Sequence, residues 1–124
     1  MRYLNHGLIL LPSALFLLVG FRWLIEPATV APEFGFELGD GLGRSTQIGD
    51  MASFFFTGSL CAIAALISGQ RNWLVPSMML LTFAAFGRTL AWLVHDASFA
   101  TQQILVEIIS TLFLLTAYRR MAVQ

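Results

Sequence analysis

The chain has 124 residues, 57% of them hydrophobic and 11% charged, with a mean hydropathy of +0.76. A soluble domain carries about 25% charged residues, so this composition excludes an ordinary water-soluble fold and points to a membrane protein. Seven arginines and no lysine balance seven acids; a net charge of zero leaves no basic footprint for nucleic acid, and the positions of the charges matter more than their total.

The first apolar run, residues 4–25, is long enough for a helix to cross the roughly 30 Å of bilayer hydrocarbon. Arg2 precedes it, and Thr29-Val30-Ala31 has the small-residue character of a signal-cleavage site. Pro32 follows directly, which disfavours cleavage, so the run is expected to be a retained span. Arg22 stands near its far end, one helical turn from Glu26.

Residues 27–45 form the one long connection. Phe34-Gly35-Phe36-Glu37-Leu38 reads there as an interfacial apolar anchor, with an amphipathic plug or a partner-binding edge as the alternatives. Gly39 to Ser45 (GDGLGRS) superficially resembles a phosphate loop, but it lacks the preceding strand and the terminal glycine-lysine. It is expected to be a flexible turn before a helix, with Arg44 and Ser45 at a helix start able to hold an anion.

The second, third and fourth runs cover residues 47–68, 73–94 and 99–118. In lipid, where backbone groups have no other partners, each is expected to be helical. Pro12 and Pro76 lie near span starts, where a missing N–H costs least. Gly69 to Asn72 and His95 to Ser98 are short polar turns, with Ser98 as the expected N-cap of the last helix. Short links imply antiparallel neighbours. The fold expected is therefore all-α: one domain, an integral-membrane antiparallel four-helix bundle with a longer outer loop between its first two helices. Arg2, Arg71, Arg119 and Arg120 flank one side, which places both termini in the cytoplasm by the positive-inside rule.

Four charges fall inside the apolar runs. Measured from the outer end of each span at 1.5 Å per residue, Arg22, Asp50, Arg88 and Glu107 lie at about 6, 9, 10 and 14 Å. A charge at a span centre costs about +2.5 to +3.5 kcal/mol, so such groups normally face protein and find a partner. Helical spacing surrounds Asp50 with Thr46, Gln47, Ser53, Thr57 and Cys61, Glu107 with Ala100, Gln103, Ser110 and Thr111, and Arg88 with Ala84, Ala85, Ala91, Trp92 and His95. These polar and small-residue stripes are expected to face one another, with Arg88 paired to Asp50 or Glu107. Cys61 reads as a small buried residue. His6 and His95 belong to opposite ends of the spans, so no metal set is complete and no cofactor is implied.

The stretches VGFRWLIEP, GRSTQIGDMASFF, FGRTLAWLVHD and VEI together resemble a family of small four-span bacterial inner-membrane proteins, domain of unknown function 4345. The resemblance covers nearly the whole chain and falls on Arg22, Pro27, Arg44, Gly49, Asp50, Gly87, Arg88 and Glu107. It implies a multi-pass protein of the bacterial inner membrane and carries no activity with it. A weaker, fold-level likeness is to DoxX-type four-helix membrane proteins, some of which are redox-associated accessory subunits.

Three functions are compatible with this pattern. In the first, Arg88, Arg22, Asp50, Glu107, Gln103, Trp92 and His95 form a pocket for an amphipathic anionic ligand or membrane lipid headgroup, because an arginine fork pairs with carboxylate or phosphate. In the second, the charges are internal glue in an accessory subunit of a larger membrane complex or homo-oligomer. In the third, Glu107 carries a proton. No catalytic residue is assigned.

Overall fold

The computed structural model describes residues 2–122, and the described chain is helical with connecting turns and no strand. Four long helices are α1 (Arg2–Ile25), α3 (Gly41–Ser68), α4 (Leu74–Val94) and α5 (Thr101–Ala122); a short α2 (Pro27–Val30) and a 3-10 turn (Ala31–Phe34) follow α1. Three helical stretches, Arg2–Ile25, Gly41–Ser68 and Arg71–Val94, are long and apolar enough to cross a membrane. The fourth expected span corresponds to α5, whose first half is interrupted by Gln102, Gln103, Glu107 and Ser110.

Local chemistry sets the helix ends. The residue before a proline is disfavoured in the α region, and Glu26, ahead of Pro27, leaves it with φ −135° and ψ 58°. At the end of α3, Gly69 takes φ 69° and donates its N–H to the Ala65 carbonyl, the single-bond left-handed cap that glycine adopts without a Cβ clash. Asp96 follows α4 at φ 55°, a conformation that short polar side chains tolerate better than most.

The starts of α3 and α5 differ from expectation. The helix expected from Gln47 begins at Gly41, so more than half of the 27–45 connection is helical: α2, a 3-10 turn and the first turns of α3. Nothing in an apolar-run count registers those polar first turns, which lie beyond the hydrocarbon-length segment. The last helix begins at Thr101, with the Ile104 N–H bonded to the Ala100 carbonyl, so Ser98 lies ahead of the cap position.

Each long helix packs against two others, α1 on α3 and α5, and α4 on α3 and α5. Ile9, Phe16 and Trp23, seven residues apart on α1, are all buried, as a stripe at helical spacing must be. Opposite them α3 buries Ala52, Phe55, Gly58, Ser59, Ala62 and Ala65. Small residues bring the backbones close: a Cβ built on Gly20 would stand 3.3 Å from the Phe56 ring. Between α3 and α4 the Ser77 hydroxyl donates to the Gly58 carbonyl at 2.6 Å.

The ends are tied as well. Arg120 Nε donates to Asn5 Oδ1 at 2.8 Å, and the Arg71 guanidinium lies 4.4 Å from the Tyr118 ring centroid. The start of α1 and the turn before α4 therefore both lie beside the end of α5. At the other end, called here the mouth, Phe34 packs between Trp23 and Phe55, with ring centroids 5.9 and 5.7 Å away. That contact folds the 3-10 turn over the helix ends.

Candidate functional site

A cavity of about 460 Å³ lies at the mouth end and draws its lining from all four long helices and the 3-10 turn. This is within the ~300–1,000 Å³ range of small-ligand sites. Its walls are two-toned. Leu15, Phe16 and Val19 of α1, Met51 and Phe54 of α3 and Leu81 of α4 make an apolar part; Glu33, Asp50, Arg88, Gln102, Gln103 and Glu107 make a polar one. Leu81 lies thirteen residues before the end of α4, about 20 Å along the axis at 1.5 Å per residue, so the apolar part reaches well down the helices.

Arg88 and Glu107 meet across the α4–α5 seam, Nε to Oε1, at 2.8 Å. The Glu107 side chain is only 7% exposed and its Oε2 has no hydrogen-bond partner. The two terminal nitrogens of Arg88 likewise have no partner among the described residues. The pair is thus joined at one point, leaving the donor fork of Arg88 without a protein acceptor and one Glu107 oxygen buried without a donor, where an unpaired polar atom is costly.

Asp50 also lines the cavity, but it is exposed and makes no hydrogen bond or ion pair among the described residues. The rotation of α3 explains this. Thr46, Ser53 and Thr57, expected to face inward with it, are exposed and Gln47 and Cys61 are half-buried, while the alanine and phenylalanine face is buried. The α5 stripe does face inward: Gln103 is half-buried, and Glu107, Ser110 and Leu114 are buried. On α4, Ala84, Ala85, Arg88 and Ala91 are half-buried.

Arg22 stands apart from Arg88. Its Nε donates to Glu26 at 2.8 Å, and its two terminal nitrogens donate to the two oxygens of Glu33 at 2.8 and 2.9 Å. Those fork hydrogen bonds hold the Glu33 carboxyl below its ordinary pKa, outweighing the smaller opposing effect of desolvation. Gln103 lies close by, its amide donating to the Glu33 carbonyl at 3.4 Å.

Trp92 and His95 are not among the lining residues. Trp92 makes an edge contact with Phe99 at 5.0 Å between centroids, and His95 is the exposed C-cap of α4. Arg44 and Ser45 lie in the first turns of α3 rather than at its start. The cap is Asp40, and Arg44 turns back onto it, donating to the Gly39 carbonyl at 2.8 Å and to Asp40 Oδ1 at 3.3 Å.

Glu33 and Gln102 are lining residues that sequence spacing did not single out. The pairing of Glu33 with Arg22 crosses a proline-broken turn, and no helical period links residues eleven apart across such a break. Family models, curated proteins and solved structures yield no match to this chain.

Proposed function

We propose that this is a four-span membrane protein that binds an amphipathic ligand with an anionic group, of the kind a lipid headgroup offers, in the mouth cavity. In this reading the four long helices form an antiparallel transmembrane bundle with both termini cytoplasmic. The protein belongs to the bacterial inner-membrane family that its motifs resemble. Arg88 takes the anion, and Glu107 positions the guanidinium through Nε. The apolar walls take the hydrophobic part.

The observation that carries the reading is the single-point attachment of Arg88. An arginine serving only as internal glue would spend its fork on protein acceptors, as Arg22 does on Glu33. Arg88 instead has two nitrogens without a partner among the described residues, in a cavity that continues into apolar surface.

The test is lipid retention by the full-length protein in native mass spectrometry. Arg88→Met combined with Glu107→Gln removes the charge pair without stranding either partner. The combined variant is expected to fold with unchanged helicity and to lose the phospholipid held through its phosphate. Retention equal to wild type would sink the reading. Loss of folded protein in the combined variant would favour the accessory-subunit role, with the pair as internal glue.

A further inference from the structure

Four carboxylates, Glu26, Glu33, Asp50 and Glu107, stand against two guanidiniums, Arg22 and Arg88, in and beside the cavity. Arg22 engages Glu26 and Glu33, and Arg88 engages Glu107. Asp50 is left over. A purely anionic ligand bound to Arg88 would add negative charge to a wall already in excess of it, and like charges across a small cavity repel. The unmet hydrogen-bonding capacity runs the same way: Arg88 offers donors only, whereas Asp50 and the buried Glu107 Oε2 offer acceptors only. The wall thus calls for a molecule that carries an anion and a cationic donor together.

We infer that the cavity selects a zwitterionic phospholipid headgroup, with Arg88 taking its phosphate and Asp50 its primary ammonium. This rests on the anion-binding reading above and adds the second charge to it. The N–H bonds of a primary ammonium suit the two carboxylate oxygens of Asp50, which lines the cavity from α3 without a partner among the described residues. A quaternary ammonium has no N–H and leaves both unmet. The position of Asp50 is consistent with a headgroup. α3 measures roughly 42 Å, about 12 Å beyond the hydrocarbon thickness, so a residue about 14 Å from its mouth end lies near the polar boundary. The apolar walls below that level are where an acyl chain attached to such a headgroup would run.

The experiment uses the purified full-length protein in nanodiscs of phosphatidylethanolamine and phosphatidylglycerol, mixed equally and with identical acyl chains, with retained lipid counted by native mass spectrometry. Wild type is expected to favour phosphatidylethanolamine by about tenfold, the scale of one hydrogen bond to a charged group. Asp50→Asn is expected to bring the ratio close to unity by loss of phosphatidylethanolamine, and Asp50→Lys to reverse it. Asp50 is exposed, so these variants disturb no buried contact. Equal retention by wild type, or a preference that survives in Asp50→Asn, overturns the ammonium assignment. If retention in either case still depends on Arg88, the anion-binding reading stands without it. Retention of neither lipid in an Arg88-dependent manner overturns both.

Discussion

Arg88 lies six residues before the end of α4, Glu107 lies six residues after the start of α5, and the two join at 2.8 Å through Nε and Oε1. Equal offsets put them at one height, about 9 Å from the mouth end at 1.5 Å per residue. Arg88→Met leaves the Glu107 carboxylate buried without its donor, which is expected to destabilise the protein by about 1–3 kcal/mol. Adding Glu107→Gln is expected to restore most of that, and a double-mutant cycle in denaturant-titrated micelles measures the coupling. Additive losses would mean that the bond contributes nothing to the folded state.

The cavity itself offers a second handle. Ala84 lines it and is half-buried, so Ala84→Phe should occupy the volume while leaving the Arg88–Glu107 bond in place. Lipid retention is expected to fall at least about tenfold with stability changed by less than ~1.5 kcal/mol. Unchanged retention would move the ligand elsewhere on the protein.

Gly20 is the close-approach point of α1 and α3, where a Cβ meets Phe55 and Phe56 at 3.3 to 3.4 Å. Gly20→Leu is expected to force the helices apart at a cost of about 1–3 kcal/mol. The hydroxyl bond from Ser77 to the Gly58 carbonyl is a milder case; Ser77→Ala is expected to cost about 0.6 kcal/mol, the average for an interhelical hydrogen bond in a membrane. Unfolding midpoints of both variants give the comparison, and a larger loss for Ser77→Ala would reverse the ranking.

The turn that covers the mouth has a defined pH response. Glu33 has its pKa lowered by the Arg22 hydrogen bonds. The ion pair therefore stabilises docking at all pH values above the unfolded carboxylate pKa, and that stabilisation is lost as pH falls through the lower folded value. Amide exchange at Gly35 and Phe36, which bond to the Pro32 and Ala31 carbonyls, is expected to show unchanged protection, after correction for intrinsic rate, from neutral pH down to the ordinary carboxylate pKa. Protection should fall progressively below that pH until the lower folded value is passed, and in Arg22→Gln it should be lower already at neutral pH. A midpoint between pH 6 and 8 would assign the response to another group.

The sequence by itself determined the helical class, the apolar lengths of its first three spans and the comparable depth of Arg88 and Glu107. All of these follow from hydropathy and a 1.5 Å rise, which depend on the chain's own backbone. It also located the inward face of α5, because Gln103, Glu107 and Ser110 repeat at helical spacing on a helix with few other polar groups. Tertiary structure alone decided the rotation of α3. Lipid and protein interior accept apolar side chains almost equally, so burying Ala52, Phe55, Ser59 and Ala62 rather than Asp50, Ser53 and Thr57 is settled by how Gly20 and Phe16 pack against them. That rotation is what leaves Asp50 exposed and without an arginine. The partner of Arg22 was decided in the same way: Glu33 reaches it only after Pro27 breaks the helix and Phe34 folds between Trp23 and Phe55, a chain path that no local periodicity encodes.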